Sequence, residues 1–192
     1  MKSIIYIFFF LLCTGSFAQK KPNILIIGDS VSQEPARAAA AALKDRATIV
    51  YGKYGSWDSS TALANFDKLL DGKKWDLIYF NFGLNEIMHK DSKTKGIRAM
   101  HKDVGGVKVT TPQQYEKNLQ ELVKRFKAKG SKVLWGATTP VVGNNGILFA
   151  GDEIKYNNIA ARVMKSASVP IVDMHFHGRE SHKAIPRNHG KT

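Results

Sequence analysis

Short continuous apolar runs alternate with amphipathic stretches along this chain. "NILIIGDS" (residues 23–30) is apolar up to a polar turn, the pattern of a strand buried on both faces of a parallel sheet. "EPARAAAAALKDR" (34–46) reads as a helix with Pro35 near its start, where a missing amide is tolerated. A second strand is expected at "ATIVYG" (47–52), a loop at 53–61, and an amphipathic helix at 61–72 stopped by Gly72. "WDLIYFNFG" (75–83) is a third strand, and the long polar stretch after it, 84–109, reads as a solvated loop or a lid. Thr111 then caps a helix over 111–130, with Pro112 at its first position. Tyr115, Leu119, Leu122, Val123 and Phe126 fall on one face of that helix, and Gly130 ends it. "KVLWGATTP" (132–140) is the fourth strand, "DEIKYNNIAARVMKSA" (152–167) a helix, and "VPIVDM" (169–174) the fifth strand.

Strands and helices thus alternate about five times, with no internal repeat and no low-complexity linker. This implies an α/β fold: a three-layer α/β/α sandwich around a five-stranded parallel sheet. Right-handed crossovers place the C-terminal ends of all five strands on one edge, where open α/β sheets bind their ligands.

The two ends of the chain change the picture. Residues 1–18 carry Lys2, an apolar run from Ile4 to Leu12, and small residues at Ser16 and Ala18. That is the composition of a secretory signal peptide, with an apolar run too short to span a bilayer. Cleavage after Ala18 would leave a domain over 22–192, secreted or periplasmic, with no stable membrane insertion. It would also remove Cys13, the one cysteine, so the core must hold the fold without crosslinks. The formal charge is +13, from 29 basic and 16 acidic residues. For an exported protein this points either to an anionic glycan or the cell envelope, rather than to nucleic acid, or to solubility alone.

Three strand ends carry unusual polar residues: Ser30 after strand one, Gly55 after strand two and Asn85 after strand three. Each has a local explanation. "SVSQ" (30–33) fits a capping box, Gly55 suits a left-handed turn, and Asn85 suits a helix cap or an Asx-turn. Taken together they suggest chemistry. The Ser30 amide, the Gly55 amide and the Asn85 side chain could converge as three donors on one oxyanion.

With these residues in view, the chain resembles the SGNH, or GDSL-type, hydrolase family of esterases and lipases. "IIGDSVS" is similar to the family's first block, "GKYGSWDSSTAL" to its second, and "IYFNFGLNEI" to its third with Gly-x-Asn. The likeness runs from about residue 22 to residue 175, and is nearest in look to secreted bacterial carbohydrate esterases. It implies a flavodoxin-like strand order, Ser30 as nucleophile, and Ser30, Gly55 and Asn85 as the oxyanion hole.

A serine hydroxyl needs a base, which the family takes from a late Asp-x-x-His block. The residues three before His89, His101, His175, His177, His182 and His189 are Glu86, Arg98, Val172, Met174, Arg179 and Pro186. None is Asp. "IPRNHGKT" is similar to a family segment Pro-x-Asn-Val-His-Phe-Thr, one residue shorter, which makes His189 the candidate base. His175 and His177 after strand five are the alternatives. The domain is also expected to stop short of the family's closing helix, leaving an apolar sheet face open.

Tyr54 and Trp57 beside Gly55 are candidate sugar-stacking residues. No metal signature is present, since Asp173, His175 and His177 alone make a weak ligand set. No phosphate loop is present, and no cofactor is expected. The expected function is a secreted serine esterase removing short acyl groups, acetyl above all, from a carbohydrate or another small ester. The alternatives are a catalytically impaired glycan-binding protein on the same fold and a lysophospholipase or thioesterase.

Overall fold

The computed structural model describes residues 20–52, 58–94, 98–108 and 110–178. The strands of the main sheet are β1 (Asn23–Ile27), β2 (Thr48–Tyr51), β3 (Leu77–Phe80), β6 (Lys132–Gly136) and β7 (Ile171–Val172). They lie in the order β2-β1-β3-β6-β7, all parallel. The expected α/β sheet is therefore present, in the flavodoxin-like order. Ile27 pairs with Phe80 and Phe80 with Trp135, so the three central strands end nearly level.

Alternation along the strands sorts the two faces. Leu25, Ile27, Ile78, Phe80, Val133 and Trp135 are buried. They meet α2 (Ser59–Ala64), α3 (Phe66–Leu70), α5 (Pro112–Ala128) and α6 (Asp152–Ser166). Phe126 sits between Phe66 and Phe80, with ring centroids 5.4 and 5.5 Å away. Ile24, Ile26, Leu77, Tyr79 and Leu134, on the other face, are only half-buried. Among the described residues that face carries α1 (Gln33–Ala42), packed on β2, and a helical turn at 174–178.

The α5 helix follows its pattern closely. Thr111 Oγ1 accepts the Gln114 amide at 3.1 Å, and the five residues expected on the apolar face are buried. The helix expected over 61–72 is instead two helices, and it starts earlier. Asp58 Oδ1 accepts the Thr61 amide at 2.8 Å and so starts α2 at Ser59. Asn65 then breaks the run, donating its side-chain amide to the Thr61 carbonyl at 3.0 Å, as Asn does when it competes with a helix.

The polar stretch after β3 carries ordered elements, while residues 92–93, 98–99 and 101–105 are exposed as a solvated stretch is. It forms α4 (Leu84–Ile87), then a small antiparallel pair of β4 (His89–Lys90) and β5 (Val107–Lys108). His89 is buried, with Nδ1 3.0 Å from the Ile147 carbonyl and its ring edge-on to Phe149. Lys90 is buried beside Asp58 at 3.6 Å, and Lys108 reaches Asp152 at 2.6 Å. These partners anchor the stretch to the body of the fold.

Candidate active site

Ser30 opens a 3-10 turn, Ser30–Ser32, that runs from the end of β1 into α1. Gly28 makes the tight exit possible. A Cβ there would lie 2.6 Å from Ser32 Oγ and 3.0 Å from the Asn81 carbonyl, closer than packing permits. The capping role belongs to Asp29, whose Oδ1 accepts the Val31 amide at 3.2 Å. Ser32, next to α1, makes no side-chain cap. The capping-box explanation of Ser30 therefore fails. Ser30 is exposed, and no hydrogen bond engages its hydroxyl among the described residues.

Asn85 stands on the neighbouring strand's exit. Strand β3 pairs with β1, and the Asn81 amide donates to the Ile27 carbonyl at 2.9 Å just past both strands. Asn81 Nδ2 donates to the Gly136 carbonyl at 2.7 Å, and Tyr115 Oη to the Phe82 carbonyl at 2.5 Å. Both bonds fix the turn from below. A Cβ on Gly83 would collide with Thr138 Oγ1, so the turn needs glycine to lie against the segment that follows β6. Gly83 is the residue before α4, which makes Asn85 a first-turn residue, half-buried, and not the cap. Ser30 and Asn85 thus leave adjacent strands, about 5 Å apart as parallel strands are.

Gly55, Tyr54 and Trp57 lie outside the described residues, but both flanks of their segment are described. On one side the Gly52 amide donates to the Ile26 carbonyl at 2.9 Å. On the other, the Ser59 amide donates to Glu86 Oε1 at 2.6 Å. The segment therefore leaves the strand beside β1 and returns to a point tied to α4.

His189 also lies outside the described residues. Of the alternatives, His175 has Nε2 3.2 Å from Glu153 Oε1, and that buried carboxylate takes the Gly151 amide on its other oxygen. Strand β7, which leads to His175, is three strand intervals from β1, about 14 Å. His177 is exposed in the turn at 174–178, and Asp173 Oδ1 accepts the Phe176 amide at 2.9 Å. His175 and Asp173 are thus turned to separate partners.

Two buried acids that the motif reading left without a role underlie the site. Asp29 is 2% exposed, and burial pushes its carboxyl up to about 6, against the pull of the Val31 and Leu84 amides. Glu86 is fully buried, and burial pushes it up to about 7, with the Ser59 amide opposing and the Asp58 charge adding to the rise. The signal for both was position: each acid directly flanks a motif residue inside an otherwise apolar block. Asp29 also borders a cavity of about 330 Å³ on the α1 side of the sheet, walled by Ile26, Val31, Ala36, Tyr79 and Met174.

A parallel α/β/α sandwich with an exposed serine after its first strand and an Asn-bearing turn after its third has the layout of a GDSL-type hydrolase. The chain belongs to the GDSL-like lipase/acylhydrolase family, whose model matches residues 26–191. No curated protein matches it by sequence. Among solved structures it is similar to the acetyl xylan esterase AlAXEase, at 16% identity and TM-score 0.66 over 84% of this chain and 82% of that one. The acetylxylan esterase Axe2 from Geobacillus stearothermophilus matches at 15% identity and TM-score 0.62, over 85% and 81% of the two chains. A lipase/acylhydrolase from Enterococcus faecalis matches at 14% identity and TM-score 0.59, over 86% and 80%. At these identities the likeness is one of fold.

Proposed function

We propose that this protein is an exported serine esterase that removes short acyl groups, acetyl above all, from carbohydrate. The observation that carries the reading is the pairing of an exposed Ser30, its hydroxyl without a hydrogen bond among the described residues, with the Asn85 turn on the adjacent strand. Acetyl xylan esterases among the structural neighbours support the substrate class, and the signal-like residues 1–18 support export.

In this reading Ser30 Oγ attacks the ester carbonyl while His189 takes its proton. The carbonyl oxygen gains the negative charge, and the Ser30 and Gly55 amides and the Asn85 side chain hold it. Collapse expels the alcohol, which leaves with the proton from His189, and an acyl-serine remains. Water then attacks, with His189 again as base, and releases the acid.

The test compares the mature protein with Ser30→Ala and Asn85→Ala on p-nitrophenyl acetate. Ser30→Ala should lose essentially all enzymatic turnover, and Asn85→Ala about 10²–10³-fold in kcat. Pro186 stands three residues before His189, where the family has Asp, and this favours the glycan-binding reading instead. Equal rates for parent and Ser30→Ala would select that one. Acetylated polysaccharides set against long-chain acyl esters separate the carbohydrate esterase from a lysophospholipase or thioesterase.

A further inference from the structure

We propose that the edge where the strands begin is a docking surface for an anionic polysaccharide, held by a row of cations that the strand order assembles. The inference stands apart from the esterase reading, because this edge lies opposite the strand ends that carry Ser30 and Asn85.

The row is built from residues far apart in sequence. Lys21 precedes β1, Arg46 precedes β2, Lys74 precedes β3 and Lys132 opens β6, and all four are exposed. Backbone hydrogen bonds fix these strand starts against one another. The Thr48 amide donates to the Pro22 carbonyl at 2.9 Å, the Asp76 amide to the Asn23 carbonyl at 2.9 Å, and the Lys132 amide to the Asp76 carbonyl at 3.0 Å. In the order β2-β1-β3-β6 the cations therefore follow one another as Arg46, Lys21, Lys74 and Lys132, one per strand. Neighbouring strands lie about 4.8 Å apart, close to the length of one pyranose unit in an extended chain.

The fold leaves these charges open. Among the described residues none of the four forms an ion pair, although Lys21 Nζ donates to the Lys44 carbonyl at 2.9 Å. Of the nearby acids, Asp71 is paired with Lys73 at 2.8 Å and Asp67 lies 4.0 Å from Lys129. Asp76 Oδ2 accepts the Asn23 amide at 2.7 Å, and Asp45 is exposed beside Arg46. Lys127, Lys129 and Lys165 face this edge too, but they stand at the ends of α5 and α6, where a cation offsets the helix dipole. The row lies outside any helix.

Beside the row runs a groove of about 560 Å³, lined by Pro22, Ile24 and Leu77 and by Lys20, Lys21 and Lys132, with Asp76. Ile24 pairs with Leu77 and Leu77 with Lys132, so apolar and cationic residues share one register row. That mixture suits a sugar ring, which presents C–H faces as well as anionic substituents. A lipid surface would engage exposed apolar side chains, and among the described residues no large one lies at these strand starts. Nucleotide bases would stack on exposed aromatic rings, and Trp75, next to Lys74, is buried.

The experiment measures fluorescence anisotropy of labelled heparin and labelled polygalacturonate, at low salt, with the mature protein and charge variants checked for folding by circular dichroism. The parent should bind, and added salt should weaken the binding. Lys21→Glu/Lys74→Glu/Lys132→Glu should bind at least about tenfold more weakly. Lys93→Glu/Lys117→Glu/Lys155→Glu removes the same charge from exposed sites elsewhere and should stay within about threefold of the parent. Binding of heparin alone assigns the row to sulfated glycans, and binding of polygalacturonate alone to carboxylated ones. Equal losses from both triples would mean that net charge alone binds, and would overturn the inference. So would a parent that binds neither glycan, or one that binds phosphatidylglycerol vesicles or single-stranded DNA more tightly than both. If the reversed row fails to fold, glutamine at the same two sets of positions makes the same comparison. Ester turnover does not enter this measurement, so the esterase reading stands or falls separately.

Discussion

At the residue scale, the consequence to follow is that of the buried acids. Asp29 is raised to about 6 and Glu86 to about 7 chiefly by burial. A raised acid binds its proton more tightly in the folded chain than in the unfolded one. Folding stability is then greatest while both states hold the proton, and it falls as pH rises from about 4 through each folded value. A shift of about two units corresponds to at most about 3 kcal/mol. Asp29→Asn keeps an acceptor for the Val31 amide and removes the cost of charging. It should raise stability by about 1–2 kcal/mol near pH 8 and leave it unchanged near pH 4. Urea midpoints at the two pH values check this; a loss near pH 8 would mean that the carboxylate's bond to the Val31 amide outweighs its desolvation.

Elements differ in how far their causes lie from them in sequence, and this decided what could be read in advance. The start, face and end of α5 are all local: Thr111 and Pro112, five apolar residues on one stripe, and Gly130. The same holds for the exit of β1, where Gly28-Asp29-Ser30 marks the turn. The stretch after β3 read as solvent-exposed because Lys90, Lys102 and Lys108 are charged. Their partners Asp58, Phe149 and Asp152 lie tens of residues away. The buried tie of Glu86 to the Ser59 amide was hidden for the same reason, since Ser59 belongs to another block of the chain. Gly83 is where the β3 exit depends on a distant element, through Thr138 after β6. Gly83→Ala should therefore cost about 1–3 kcal/mol by overpacking and should lower kcat by displacing α4. Unchanged values for both would show that the α4 turn can shift away from Thr138 freely.

At the scale of the whole molecule, the parallel sheet brings the polar strand ends to one edge. One face is closed by α2, α3, α5 and α6, while α1 covers only part of the other among the described residues. The well-packed face lies directly beneath α4, through Tyr115 and Phe82. On the proposed esterase reading, a rigid floor under the Asn85 turn means that little reorganisation is needed as charge develops. The formal charge of +13 gives the chain a positive field, which chooses no ester for the site. The central claim is that Ser30 is a nucleophile, and it can be tested on the atom itself. Incubation with diethyl p-nitrophenyl phosphate lets Ser30 Oγ form a bond to phosphorus as p-nitrophenolate leaves. Mass spectrometry of the digested protein should find one diethylphosphoryl group, on the peptide that contains Ser30, and none on Ser30→Ala. An unlabelled Ser30, or equal labelling of the variant, would contradict the account.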